Sequence, residues 1–257
     1  MSLPGLPADG PGLSNLVGMR GTTDLGIDRA WIAVVLVNYV VWASFPILYF
    51  IVSSIAPPLA VSVAGVVGLL GAVSSLGVAY LVYSLVNVRN QHFAREQALL
   101  VEGLGLVRSK APRDDLGVLL PLDSAGQNLQ ILVHEEKEKS AVLTGLLALI
   151  PYLGILVLIF ILAVLSRDLP EHEIREEMIL DDLDRGMREL SLTPMIRRSV
   201  FVSRRPVAGF VVASMLTLGV FSLIWLYLEI SDVRPHFEYH ARFETDLLLT
   251  LSRGPAN

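Results

Sequence analysis

The sequence predicts an all-α polytopic membrane protein with four transmembrane helices, helical extensions into water and an internal hairpin repeat. Three observations carry that expectation. The 257 residues have a mean hydropathy of +0.59 and are 53% hydrophobic, too apolar for an ordinary soluble domain. The 45 charged side chains are segregated: residues 30–88, 140–166 and 206–228 contain no Asp, Glu, Lys, Arg or His. Each window meets the requirement of about 20 apolar residues per membrane helix, and the first is long enough for two.

Other classes fall away on the same composition. A net charge of -5 and a pI near 5.5 argue against nucleic acid as a partner, because a binder needs a basic face to neutralise phosphates. With no cysteine there is no disulfide framework, thiolate metal site or cysteine nucleophile. The lipid bilayer is the partner that composition implies.

Residues 1–28 carry Pro and Gly without a charged region followed by an apolar core, so a disordered tail rather than a cleaved signal is expected. Residues 29–88 form a transmembrane hairpin divided at Ala56-Pro57-Pro58-Leu59. A polar extension and connector occupy 89–139, in which Gly103-Leu104-Gly105 reads as a helix stop and Leu116 to Leu120 as a short strand. The third span covers 140–166, an amphipathic helix and basic linker 167–205, the fourth span 206–229 and a C-terminal helical extension 230–257. In the amphipathic helix Glu171, Glu173, Glu176 and Glu177 suit the positive N-terminal end, and Arg185 and Arg188 the other. Its acidic face, with Asp181, Asp182 and Asp184, favours packing within the protein over anionic lipid.

Four spans put both termini on one side, which carries twelve of the twenty basic residues and is therefore assigned to the cytoplasm of a cell membrane. Arg197, Arg198, Arg204 and Arg205 then crowd the opposite side. A re-entrant third span, turning back near Pro151-Tyr152-Leu153-Gly154, removes that conflict and is the second topology. Ala60, Ala64, Gly68 and Ala72 on the second span, and Gly209, Ala213 and Thr217 on the fourth, give small faces for close helix contact within the monomer or in a homo-oligomer.

A repeat accompanies the spans. Ser75-Leu76-Gly77-Val78, Tyr152-Leu153-Gly154-Ile155 and Thr217-Leu218-Gly219-Val220 each open an apolar stretch that ends in a polar, His-bearing segment. The run from Thr217 to Tyr227 resembles the T-L-G-I-Y-x-x-Y-W-L-Y signature of a domain-of-unknown-function family of small prokaryotic membrane proteins, departing at Val220, Phe221 and Ile224. The resemblance implies a prokaryotic multi-pass membrane protein and no activity.

Four of the five histidines are followed by Glu at the fourth position: His92 with Glu96, His134 with Glu138, His172 with Glu176 and His240 with Glu244, while His236 has His240 at that spacing. Residues i and i+4 share a helix face. The first reading is a solvated or inter-helix polar network of His, Glu and the nearby Arg95, Arg175 and Arg242 on helix extensions. The second is a divalent metal site for Zn, Mn or Fe using His236, His240, Glu244, His92, Glu96, His134 and Glu138, and the third is proton sensing. In the four-span topology His172 belongs on the other side. Enzyme signatures fail: His172-Glu173-Ile174-Arg175-Glu176 has Glu where H-E-x-x-H needs its second His, and no P-loop, nucleophile elbow or dinucleotide fingerprint occurs. The expected function is a noncatalytic membrane scaffold or interaction protein; the alternative is a metal- or proton-responsive channel or carrier. The absence of ionisable residues within the spans weighs against ion-coupled transport.

Overall fold

A computed structural model describes residues 12–24, 26–192 and 202–253, and every regular element among them is helical. In chain order these are α1 Leu13–Thr23, α2 Trp31–Ile55, α3 Pro57–Lys110, α4 Leu116–Glu135, α5 Ala141–Ala148, α6 Leu153–Glu189, α7 Val207–Leu216 and α8 Phe221–Arg253. By length and composition α2, α3 and α6 are suited to cross a membrane.

The α2–α3 hairpin turns at Ala56-Pro57, where a proline at the first helical position has no N–H to lose. Gly71 and Gly77 form the close contact of that hairpin: a Cβ on Gly71 would lie 2.8 Å from Trp42, and on Gly77 2.6 Å from Val34. Of the small face expected on the second span, Ala60 is buried, whereas Gly68 meets nothing within 4 Å. Asn38 donates to Ser74 and Ser75 at 3.0 and 3.1 Å, so the polar groups inside the hairpin satisfy one another rather than line a path. α3 then continues for 54 residues, about 81 Å at 1.5 Å per residue.

Neither 140–166 nor 206–229 forms a single rod. Lys139 Nζ lies 2.9 Å from Asp168, although a straight helix would separate them by about 43 Å. The chain doubles back at Pro151-Tyr152, where Tyr152 has φ 64°, so α5 enters and α6 returns beside it. Likewise Arg205 Nη1 lies 3.3 Å from Glu229, which brackets a second fold-back between α7 and α8 at Leu218 (φ 51°) and Gly219 (φ 93°). Both tips meet the middle of α2. Tyr152 packs on Trp42 with ring centroids 5.6 Å apart, and Tyr39 Oη donates to the Gly219 carbonyl at 2.7 Å. The chain in 140–166 therefore turns back at the residues where the second topology places its turn, and 206–229 folds back as well.

Three further expectations are corrected. Residues Leu13–Thr23 of the expected tail form α1, because Leu13, Leu16 and Val17 bury on α3 and α8. The expected strand at Leu116 to Leu120 is the first turn of α4, capped by Asp115, which accepts from the Gly117 and Val118 amides. Gly103 and Gly105 lie inside α3, where a Cβ on Gly103 would lie 3.4 Å from Leu247 and one on Gly105 would meet nothing within 4 Å. The expected basic linker falls in part on residues 193–201, outside the described residues.

The apolar side chains separate into two main cores. One joins Val35, Tyr39, Leu81, Val82, Leu158, Leu162 and Trp225 within the apolar hairpins. The other joins Leu16, Leu99, Leu100, Leu122, Leu132, Leu183 and Leu247 among α1, α3, α4, α6 and α8. Between them α3, α6 and α8 carry a polar layer at 89–96, 166–176 and 229–244.

Candidate metal centre

That polar layer is buried, so the network runs between helices rather than into solvent. His92, His172, His236 and His240 are each at most 1% exposed, as are Glu96, Glu173 and Glu244. Buried polar groups are tolerated only where they find partners, and the partners here are specific. His92 Nδ1 donates to Asp24 at 3.0 Å, His172 Nδ1 to Glu136 at 2.9 Å and His236 Nδ1 to Glu173 at 2.8 Å. Each carboxylate comes from a different element: Asp24 follows α1, Glu136 follows α4 and Glu173 stands on α6.

A carboxylate on Nδ1 places the ring proton there and leaves Nε2 as a lone pair. His92 Nε2 and His236 Nε2 face each other at 3.0 Å, and His172 Nε2, fully buried, has no hydrogen-bond partner. One nitrogen from each of the four histidines falls within 4.8 Å of the others. Phe93 stacks on His172 with centroids 4.2 Å apart, and Arg89 lies over Phe93 at the same distance, which fixes the imidazole plane.

A second group adjoins the first. Glu96, Glu176 and His240 bring ligand atoms within 4.8 Å of one another. His240 Nδ1 lies 3.3 Å from Glu96 and its Nε2 3.3 Å from Glu176. On the far side Arg95 bridges Asp24 at 2.7 Å and Glu244 at 2.8 Å. Burial opposes ionisation of Glu96, but neighbouring His240, then His92 and Arg95, outweigh it and hold its pKa at about 2. Burial and then the Glu96 charge push Glu244 up to about 7 against the pull of Arg95. Burial would lower His240, yet Glu176 and Glu96 raise it well above the ordinary histidine value. His92 is lowered, chiefly by burial, against the opposing hydrogen bond from Asp24.

Of the predicted ligands, His92, Glu96, His236, His240 and Glu244 come together. His134 and Glu138 do not: both are exposed, the first in the last turn of α4 and the second in the link to α5. His172, assigned to the other side by the four-span topology, stands 5.7 Å from His92, ring to ring, because the α5–α6 fold-back returns it. Its i+4 pairing with Glu176 was already visible, whereas Asp24, Glu136 and Glu173 belong to no local pattern.

Comparison with protein-family models, with curated proteins and with solved structures finds no match.

Proposed function

We propose that the protein is a membrane-embedded metalloprotein holding a divalent first-row transition ion among His92, His172, His236 and His240. The observation that carries this reading is the 3.0 Å approach of His92 Nε2 to His236 Nε2, each ring having a carboxylate behind its Nδ1. Two lone pairs at that distance repel unless a proton or a metal ion lies between them, and a metal ion would engage nitrogens of His172 and His240 as well. Carboxylate–histidine pairs are the usual support of metal-bound imidazole, fixing its tautomer and raising its basicity. Four imidazoles suit Zn, Fe or Cu once His240 gives up its proton to the ion, and full burial of all four makes the site closed, as in centres that hold an ion rather than pass it.

In this reading the α2–α3 hairpin crosses the bilayer, and α5–α6 and α7–α8 are re-entrant hairpins whose tips stop at its middle. α7 has 10 residues, about 15 Å, half of a hydrocarbon core. All segments carrying Lys or Arg then share one face, which the positive-inside rule makes cytoplasmic. The polar layer lies just inside that face. The ion joins α3, α6 and α8, the return helix of each hairpin, and the three hairpins constitute the repeat seen in the sequence.

Elemental analysis of the purified, detergent-solubilised chain, beside the His236→Ala/His240→Ala variant, tests the reading. At least one tightly held transition ion per chain, lost in the variant, is expected. A chain that holds none, even after incubation with Zn, Mn or Fe salts, overturns it and leaves a proton-held network in a noncatalytic scaffold.

A further inference from the structure

The geometry points to a second metal ion, held by Glu96, Glu176 and His240 beside a first ion on His92, His172 and His236, so that the centre is dinuclear. The inference rests on the four-histidine reading and divides its ligands.

The carboxylates provide the argument. Both oxygens of Glu96 and Oε1 of Glu176 are buried without a hydrogen bond, and so are both ring nitrogens of His240. An unbonded buried carboxylate loses its hydration with nothing in return, a cost that mounts with each atom. Arg95 attracts Glu96 without hydrogen-bonding it, since the 2.7 and 2.8 Å contacts of its guanidinium go to Asp24 and Glu244, and Glu96 Oε2 stands 3.8 Å away. His240 approaches both carboxylates at 3.3 Å without meeting the directional requirement of a hydrogen bond. A metal ion bonds several such atoms at once.

The donor types also differ between the halves. His92, His172 and His236 present three nitrogens, each with a carboxylate on the opposite ring nitrogen. Glu96, Glu176 and His240 present two oxygens and one nitrogen, a set suited to Fe(II) or Mn(II) with coordination positions left over. Spacing on the helices produces this division. The i and i+4 positions of α3 and α6 each stack a His over a Glu, and α8 places His236 level with the first layer and His240 level with the second.

Metal counting tests the inference with Mn(II), then Fe(II) under anaerobic conditions, as the added ion. Two ions per full-length chain are expected, falling to one in Glu96→Gln/Glu176→Gln. The electron paramagnetic resonance spectrum of the Mn(II)-loaded wild-type chain, which needs no variant, should show an exchange-coupled pair. One ion per chain, an isolated-Mn(II) spectrum, or two ions retained in the double variant would overturn the dinuclear centre while leaving the four-histidine reading intact. No ion in the wild-type chain overturns both.

Discussion

Asp24 touches no proposed ion, yet its position makes it a sensitive residue. Its oxygens accept from His92 Nδ1 at 3.0 Å and from Arg95 at 2.7 Å, and these partners outweigh burial to hold its carboxyl below the usual range. Asp24→Asn keeps the shape and removes the charge that makes His92 a better ligand. Metal affinity should fall about 10- to 100-fold, the ordinary effect of losing a support behind a ligand. Chelator competition reads this directly, and an unchanged affinity would show that His92 does not bind metal. His134→Ala is the matched control, because His134 is exposed and apart from the cluster; its metal content should equal that of the unaltered chain. At this scale the i+4 pattern contains seven of the clustered residues, His172 and Glu176 among them, since helix periodicity is local. It also included His134 and Glu138, for the same periodicity says nothing about which helix end meets its neighbours. Asp24 and Glu136 approach over 68 and 36 residues of chain, and no spacing rule reaches that far.

The two fold-backs decide whether the histidines meet, and each depends on backbone that ordinary residues resist. Gly219 has φ 93°, and a Cβ built there would collide with Tyr39 Oη and lie 2.7 Å from Ile155. Gly219→Ala should therefore cost about 2–4 kcal/mol, the sum of a left-handed backbone penalty and overpacking. Gly65→Ala, a helical position with nothing within 4 Å, should be neutral or slightly stabilising through helix propensity. Thermal unfolding in detergent compares the two, and equal midpoints would mean that the α7–α8 turn carries no stability. Helix content was legible along most of the chain because apolar runs of 20 or more residues leave little else to form. The breaks were legible only in part: Pro151 and Gly154 mark one, but Thr217-Leu218-Gly219 reads as well in mid-helix, as its counterpart Ser75-Leu76-Gly77 does within α3. What separates them is tertiary. Gly77 faces the side of Val34, whereas the Gly219 carbonyl accepts from Tyr39.

Across the whole molecule, two apolar cores are joined through a polar layer whose own contacts leave buried atoms unbonded, so the ion is expected to couple them. A ligand that binds only the folded state adds about 2.7 kcal/mol at a hundredfold excess over its Kd. Chelation should accordingly lower the unfolding midpoint of the unaltered chain and leave that of His236→Ala/His240→Ala unmoved; equal shifts would assign the effect to the chelator. The arrangement of hairpins has a separate test, made simple by the absence of native cysteine. Single cysteines placed at Pro58, Tyr152, Leu218 and Arg185 can be probed in sealed vesicles with a membrane-impermeant maleimide. Pro58→Cys, at the α2–α3 turn, lies 16 residues beyond the level of Trp42, about 20 Å or more along the hairpin, and should label from one side only. Arg185→Cys, exposed on α6, should label only from the other. Tyr152→Cys and Leu218→Cys sit at tips that stop beside Trp42 and Tyr39, and neither side should reach them. If both instead label together with Pro58→Cys, the tips of α5–α6 and α7–α8 reach the far face, which overturns their re-entrant placement. Protection of both tips, with Arg185→Cys opposite Pro58→Cys, requires the return helices of all three hairpins to leave the membrane on one side, the condition for His92, His172 and His236 to meet.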